Sequence, residues 1–407
     1  MTLERIVVLN DISDAKGGAT ALALLSALDL RNRGLPGSYL TGDSGRNAQL
    51  ADAGVDLVGL GQQRLKGRMA AAAFVSGLYN RGAAAMIREW IARNDTPGTV
   101  YHLHGWAQIL SPSVFAALQG VEDRVVLSAH DFFLACPNGS FSYLKTGDVC
   151  AHKPLSTGCI GADCDRQNKG HKLWRVARQI VQRRYFDIAR PPPVLMIHEG
   201  MRPYFTRSGM PDGALHTLPN PITPFAADRI AAETNRRALF VGRLETTKGP
   251  DLACAASRAA GVPLTLVGDG ELGPQLRELY PEFTFTGRLP PAEIAAHARD
   301  ARMLLMPSRY PEPYGLVAIE AAWSGLPVIV ADTALLAPDI VRCDAGNVVA
   351  PRDTAAFAQA IAAIANDDAL VERQSHAAFL NARHLGLTTQ AWVDGLIDHY
   401  NTRLMRH

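Results

Sequence analysis

Apolar positions along the chain fall into short β-branched runs separated by longer stretches whose apolar residues recur at helical spacing. Residues 5–10, 38–40, 55–60, 100–103, 124–129 and 194–198 read as strands, with helical segments between most of them. A second series begins further on, with strands predicted at 238–244, 264–267, 283–286, 303–306 and 328–331. Strands alternating with helices build parallel sheets covered by helices on both faces. The expected fold is therefore α/β, two Rossmann-like doubly wound domains facing across a cleft. Their junction falls near Leu218-Pro219-Asn220-Pro221, which gives a first domain over 1–218 and a second over 219–387.

The most informative stretch runs from Ser308 to Val330 and reads SRYPEPYGLVAIEAAWSGLPVIV. It follows the apolar run that stops at Pro307, so it opens as the loop after a buried strand. Pro311 and Pro313 stiffen that loop around Glu312. Helical spacing then resumes after Gly315 and ends at Gly325, placing Glu320 on the helix. Both carboxylates thus belong at the carboxyl end of a parallel strand, where open α/β sheets bind ligands.

This pair of glutamates, followed by AAWSGLPVIV, resembles the signature of retaining glycosyltransferase family four, the group 1 glycosyltransferases of GT-B fold. The resemblance implies that Glu312 contacts a donor sugar and that Glu320 holds the ribose hydroxyls of its nucleotide. Donor contacts implied alongside them are Gly268, Tyr314, Gly315, Leu316 and Val317. It also implies that the last helix, about 388–407, packs on the first domain. Tyr314 departs from the common Phe of relatives, and Pro221 stands where many have Gly.

Other segments fit the same reading. Val241-Gly242-Arg243-Leu244-Glu245-Thr246-Thr247-Lys248-Gly249 places two cations on one strand-to-helix loop. Such cations can stabilise the charge of a departing nucleoside diphosphate without a metal ion. The resemblance gives that role to Arg243 and Lys248. Near the N-terminus, Lys16-Gly17-Gly18 lies at a strand-to-helix turn where backbone N–H groups can approach a phosphate, or where a plain tight turn suffices. Relatives carry such a glycine pair beside the donor diphosphate. His130 ends a strand, and its counterpart in similar proteins touches the donor sugar. His102 and His104 alternate on a strand, so both face one side, either lining an acceptor pocket or packed structurally. Gly268-Asp269-Gly270-Glu271-Leu272-Gly273 matches a dinucleotide fingerprint, but the next strand ends at Gly287-Arg288, without the acidic residue expected about 20 positions on.

Composition narrows the picture further. The 407 residues are 47% hydrophobic and 20% charged, as in ordinary globular proteins. A net charge of +2 gives no reason to expect a nucleic-acid partner. No run reaches the ~20 apolar residues of a membrane span, and no signal-peptide pattern opens the chain, so the expectation is a cytoplasmic protein. Cys136, Cys150, Cys159 and Cys164 fall in one insert at about 131–168. They read either as a closed structural zinc site or as unliganded thiols, because tight C-x2-C pairs are absent. Residues 169–190 form a basic amphipathic segment, with a looser basic stretch over 64–93. These fit an anionic membrane surface or simply a solvated basic face.

The expected activity is retaining, metal-independent hexosyl transfer from a UDP- or GDP-linked sugar to a glycan acceptor, lipid-linked, in polysaccharide or glycoconjugate biosynthesis. No cofactor is expected in catalysis, and the enzyme is expected to be peripheral on the inner membrane face. His130, Arg243, Lys248 and Glu312 are the catalytic candidates. The alternatives are a nucleotide-sugar epimerase of the same fold and a catalytically inactive partner subunit.

Overall fold

The structure, a computed structural model, describes residues 2–14, 17–65, 70–350 and 352–405. Lys16, before the glycine pair, and Lys66 and Arg68, in the looser basic stretch, lie outside the described residues.

Two compact units emerge. The first comprises Met1–Gly139, His152–Leu218 and Gln390–His407; the second comprises Ser140–Ala151 and Pro219–Thr389. The first unit is built on a seven-stranded sheet of β1 (Arg5–Asn10), β2 (Gly37–Thr41), β3 (Asp56–Gly59), β4 (Thr99–Leu103), β5 (Val125–Ala129), β6 (Val194–Met196) and β7 (Leu215–Thr217). Its order is β3-β2-β1-β4-β5-β6-β7, and every pairing is parallel. Ile6, Val7, Val8 and Leu9 are each at most 1% exposed, because helices cover both faces of a parallel sheet.

The second unit carries β8 (Arg237–Val241), β9 (Leu264–Val267), β10 (Thr284–Gly287), β11 (Ala301–Met306), β12 (Val328–Ala331) and β13 (Gly346–Val349). This six-stranded sheet has the order β10-β9-β8-β11-β12-β13 and is again wholly parallel. In each sheet the order reverses direction once, between β1 and β4 and between β8 and β11. Those reversals create the crevices in which doubly wound sheets hold ligands.

Two parts of the chain leave the simple domain division. Ser140–Ala151, expected within the first domain, belongs to the second unit. Asp148 pairs there with Arg352 at 2.6 Å, and an antiparallel bridge joins Ser142 to Val149. The helix Thr389–Met405 belongs to the first unit from Gln390 onward. Trp392, Val393, Leu396, Tyr400 and Leu404 form its buried face at helical spacing, while Arg33 pairs with Asp394 and Arg403 donates to the Glu122 carbonyl at 2.8 Å.

Candidate active site

The second unit brings the expected residues together at its switch point. Lys248 lies in the turn after β8 and Glu312 in the loop after β11, the two strands that flank the reversal. Lys248 Nζ is 2.5 Å from Glu312 Oε2 and 3.1 Å from the Tyr310 hydroxyl, and the Ser308 hydroxyl donates to the same carboxylate oxygen at 3.0 Å. Glu312 is only 8% exposed. Burial alone would push its pKa up, but the Lys248 ammonium, with Tyr310 and Ser308 in support, holds it below the ordinary carboxylate value. Burial likewise disfavours the charged form of Lys248, and Glu312 more than reverses that, raising the lysine pKa. Both groups are therefore ionised near neutrality.

Arg309 ties the two loops together. Its guanidinium grips Asp251 through Nη1 at 2.8 Å and Nη2 at 2.6 Å, and donates to the Thr246 carbonyl at 2.6 Å. Its backbone N–H also donates to the Thr247 carbonyl at 2.9 Å. The sequence reading assigned nothing to Ser308, Arg309 or Tyr310. Their place in the stretch around Glu312 was the available signal, but their partners lie in a segment far away along the chain.

The helix Leu316–Trp323 starts at Gly315, whose φ of 73° suits glycine, and a Cβ there would fall 2.5 Å from Leu336 Cδ2. The amides of Leu316 and Val317 open this helix, where intrahelical bonding leaves N–H groups unpaired. Glu320, half-buried on the same helix, meets no cation among the described residues. Burial pushes its pKa up to about 7.

Three expected donor contacts have different surroundings. Arg243 is turned to Glu245 at 2.8 Å with its side chain 67% exposed, and is not joined to the Lys248–Glu312 pair. The Tyr314 hydroxyl donates to the carbonyls of Leu385 at 2.8 Å and Asn220 at 3.2 Å, and the residue is 3% exposed, so it braces the backbone. Gly268 has φ 136°, and a Cβ there would lie 1.9 Å from the Gly242 carbonyl oxygen, so close backbone packing already requires glycine at this position.

In the first unit, Gly17 is extended at φ −177° and precedes the helix Gly18–Asn32; both glycines are exposed. His130 follows β5. Its Nε2 lies 3.1 Å from His104 Nδ1, and His104 Nε2 lies 3.2 Å from His102 Nδ1. His102 is fully buried, 2.6 Å from the Tyr400 hydroxyl and 2.9 Å from the Ser128 hydroxyl. His102 and His104 are thus buried behind His130 and hydrogen-bonded in a chain to it.

The cysteine insert divides. Cys136, Cys159 and Cys164 lie in the first unit and Cys150 in the second. Among the described residues no group of three or more His, Cys, Asp or Glu side chains is arranged to hold a metal ion. The buried Lys172 ammonium lies instead 3.1 Å from Cys164 Sγ and 3.7 Å from Cys159 Sγ, a cation where the zinc reading needs a dication. The basic segment is altered too. In the helix Lys169–Tyr185, Lys172 and Arg178 turn inward, the latter 5.1 Å from the Trp106 ring centroid. Among the described residues no helix is long and apolar enough to cross a membrane.

Residues 235–367 match the profile of the family described as "Glycosyl transferases group 1". They form a group 1 glycosyl transferase domain. Glycogen synthase from Mycobacterium tuberculosis is 35% identical over 166 residues, covering 38% of this chain and 40% of the relative. D-inositol 3-phosphate glycosyltransferase from Streptomyces griseus is 31% identical over 255 residues, 55% of this chain and 52% of the relative. The chain therefore spans about half or less of the length of these relatives. Sucrose-phosphate synthase from Thermosynechococcus elongatus superposes with a TM-score of 0.70 at 16% identity, over 99% of this chain and all of that one. Anabaena HepE in complex with UDP-glucose superposes at 0.66 and 15% identity, over 98% and 99% of the two chains. At such identities the likeness shows the fold, two Rossmann-like domains of GT-B type.

Proposed function

We propose that the protein is a retaining glycosyltransferase that moves a hexose from a nucleotide sugar to a glycan acceptor without a metal ion. The observation that carries this reading is the Lys248–Glu312 pair, held ionised at the switch point of a group 1 glycosyl transferase domain. As the bond between the sugar anomeric carbon and the diphosphate oxygen breaks, negative charge grows on the leaving group. Lys248 supplies a fixed cation for that charge, and Arg243, exposed and paired with Glu245, adds a second. Glu312 accepts hydrogen bonds from the donor sugar while holding Lys248 in place. Glu320 accepts from the ribose hydroxyls, and the Leu316 and Val317 amides face the phosphates. The acceptor oxygen attacks the face from which the diphosphate departs, and its proton passes to the leaving phosphate, so positioning and charge carry the reaction.

The donor is taken to be UDP-linked, a reading favoured by the UDP-glucose complex of HepE. A lipid-linked acceptor is favoured by an apolar surface on the first unit. Phe74, Val75 and Leu173 are each more than half exposed there, with the Phe74 ring tilted 45° against Trp174 and Lys169 at the start of the same helix as Leu173.

A thermal-shift panel of UDP, GDP and ADP with their sugar conjugates tests the donor site. A ligand at ~100 times its Kd stabilises by ~2.7 kcal/mol, so a true donor raises the Tm clearly. No shift with any of them would reject the proposal. Conversion of the sugar without acceptor would indicate an epimerase instead, and binding without turnover an inactive subunit.

A further inference from the structure

The three histidines at the carboxyl ends of β4 and β5 form a chain whose proton positions follow from its far end. All three are held neutral. Burial lowers the pKa of His130 to about 4 and of His102 to about 3, and lowers that of His104, with mutual repulsion adding to the effect at His102 and His104. A neutral imidazole carries one N–H and one lone pair, so fixing either nitrogen fixes the other.

Two anchors fix His104. The Ser26 hydroxyl donates its proton to the Ala23 carbonyl at 2.8 Å, so toward His104 Nε2, 3.5 Å away, it can only accept. Tyr400, wholly buried, has a single polar neighbour within reach among the described residues, His102 Nδ1 at 2.6 Å. A buried hydroxyl without an acceptor is unfavourable, so Tyr400 donates and His102 Nδ1 is the acceptor. His102 Nε2 then carries the proton and donates to the Ser128 hydroxyl at 2.9 Å. His104 Nε2 faces the Ser26 oxygen, which can only accept, and His102 Nδ1 at 3.2 Å, whose one lone pair is already engaged by Tyr400, so His104 Nε2 carries the N–H. Its Nδ1 is therefore bare and accepts from His130 Nε2–H at 3.1 Å.

The chain ends at His130 Nδ1, a lone pair on a buried nitrogen with no hydrogen-bond partner among the described residues. We propose that Tyr400 and Ser26, acting through His102 and His104, fix His130 in the Nε2–H tautomer so that its Nδ1 accepts a hydrogen bond from a ligand hydroxyl. His102, His104, Ser26 and Tyr400 are positioning residues for that contact. The site thereby selects a hydroxyl donor and rejects a group that can only accept, such as a fluorine or a carboxylate in the same place. That the hydroxyl belongs to a donor sugar rests on the transferase reading; the tautomer does not.

Nitrogen-15 NMR of the full-length protein labelled at histidine tests both parts, with His102→Gln, His104→Gln and His130→Gln used to assign the rings. Two-bond nitrogen–proton correlations distinguish the tautomers directly. The expected result is Nε2–H at all three positions, and addition of a nucleotide sugar should shift the His130 Nδ1 resonance toward that of a hydrogen-bonded acceptor. The matching deoxyfluoro sugar should bind more weakly and without that shift. In the double variant Ser26→Ala, Tyr400→Phe, a second signal set with Nδ1–H at His130 should appear. An Nδ1–H resonance at His130 in the parent protein, or an unchanged single tautomer in the double variant, overturns the relay. The expected tautomers with no response to any nucleotide sugar would support the relay and count against the transferase reading instead.

Discussion

Lys248 and Glu312, 64 residues apart in sequence, meet at 2.5 Å because β8 and β11 are neighbours in the sheet. Their side chains are 23% and 10% exposed, so each charge depends on the other for its solvation. Lys248→Met leaves an uncompensated carboxylate, and breaking a buried pair in this way costs about 3–5 kcal/mol. Chemical denaturation should register that loss. The double variant Lys248→Met, Glu312→Gln should recover much of the stability and none of the transfer activity. A double variant as unstable as the single one would refute this account of the pair.

Glu320 titrates where enzymes are assayed. Its folded pKa of about 7 lies above the ordinary 4.5, so the folded state binds the proton more tightly than the unfolded state. Its contribution to stability is thus greatest at low pH and is lost as pH rises from about 4.5 through about 7. Nucleotide affinity should move the opposite way, since ribose hydroxyls need the carboxylate: it should weaken about tenfold per pH unit on the acid side of 7. Calorimetric titration across that range checks this, and Glu320→Gln should abolish the slope.

Arg309 touches neither proposed substrate group, yet it joins the Glu312 loop to the Lys248 turn through Asp251 and Thr246. Arg309→Lys keeps the charge and loses the two-pronged grip. A misplacement of about 1 Å can cost about 100-fold in rate. We expect kcat to fall by roughly 10- to 100-fold while nucleotide Kd changes little. Equal losses in kcat and binding would show that Arg309 acts on the donor directly.

Tyr314→Phe should leave turnover intact. Its hydroxyl serves the Leu385 and Asn220 carbonyls, and losing hydrogen bonds to buried carbonyls costs about 1–3 kcal/mol. A lowered Tm with unchanged kcat and KM is the expected pair of results. A raised KM for donor would restore Tyr314 to the binding site.

Much of this was legible in sequence because parallel strands buried on both faces leave continuous apolar runs, as in Ile6–Leu9 and Met303–Met306. Two strands escaped notice. Leu215–Thr217 is short and contains His216, while Gly346–Val349 begins with Gly-Asn and has only two apolar residues. Glu312 and Lys248 were recognisable from their motifs, but their ion pair depends on strand order. The inward turn of Lys172 and Arg178 was hidden for another reason: helical periodicity marks a face as buried only when its residues are apolar, and here thiols and aromatic rings receive the cations. The histidine chain needed a residue from the far end of the sequence, Tyr400.

That last contact bears on the order of synthesis. A ribosome releases the first sheet early, but the helix Thr389–Met405 that completes its unit emerges only after the whole second sheet has been made. Until then His102 lacks the Tyr400 hydroxyl, and the apolar residues that will receive Trp392 and Leu396 stand open to water. The nascent first half must therefore wait, stable enough to resist aggregation and still incomplete, and a fragment ending at Leu218 would keep that exposed seam permanently.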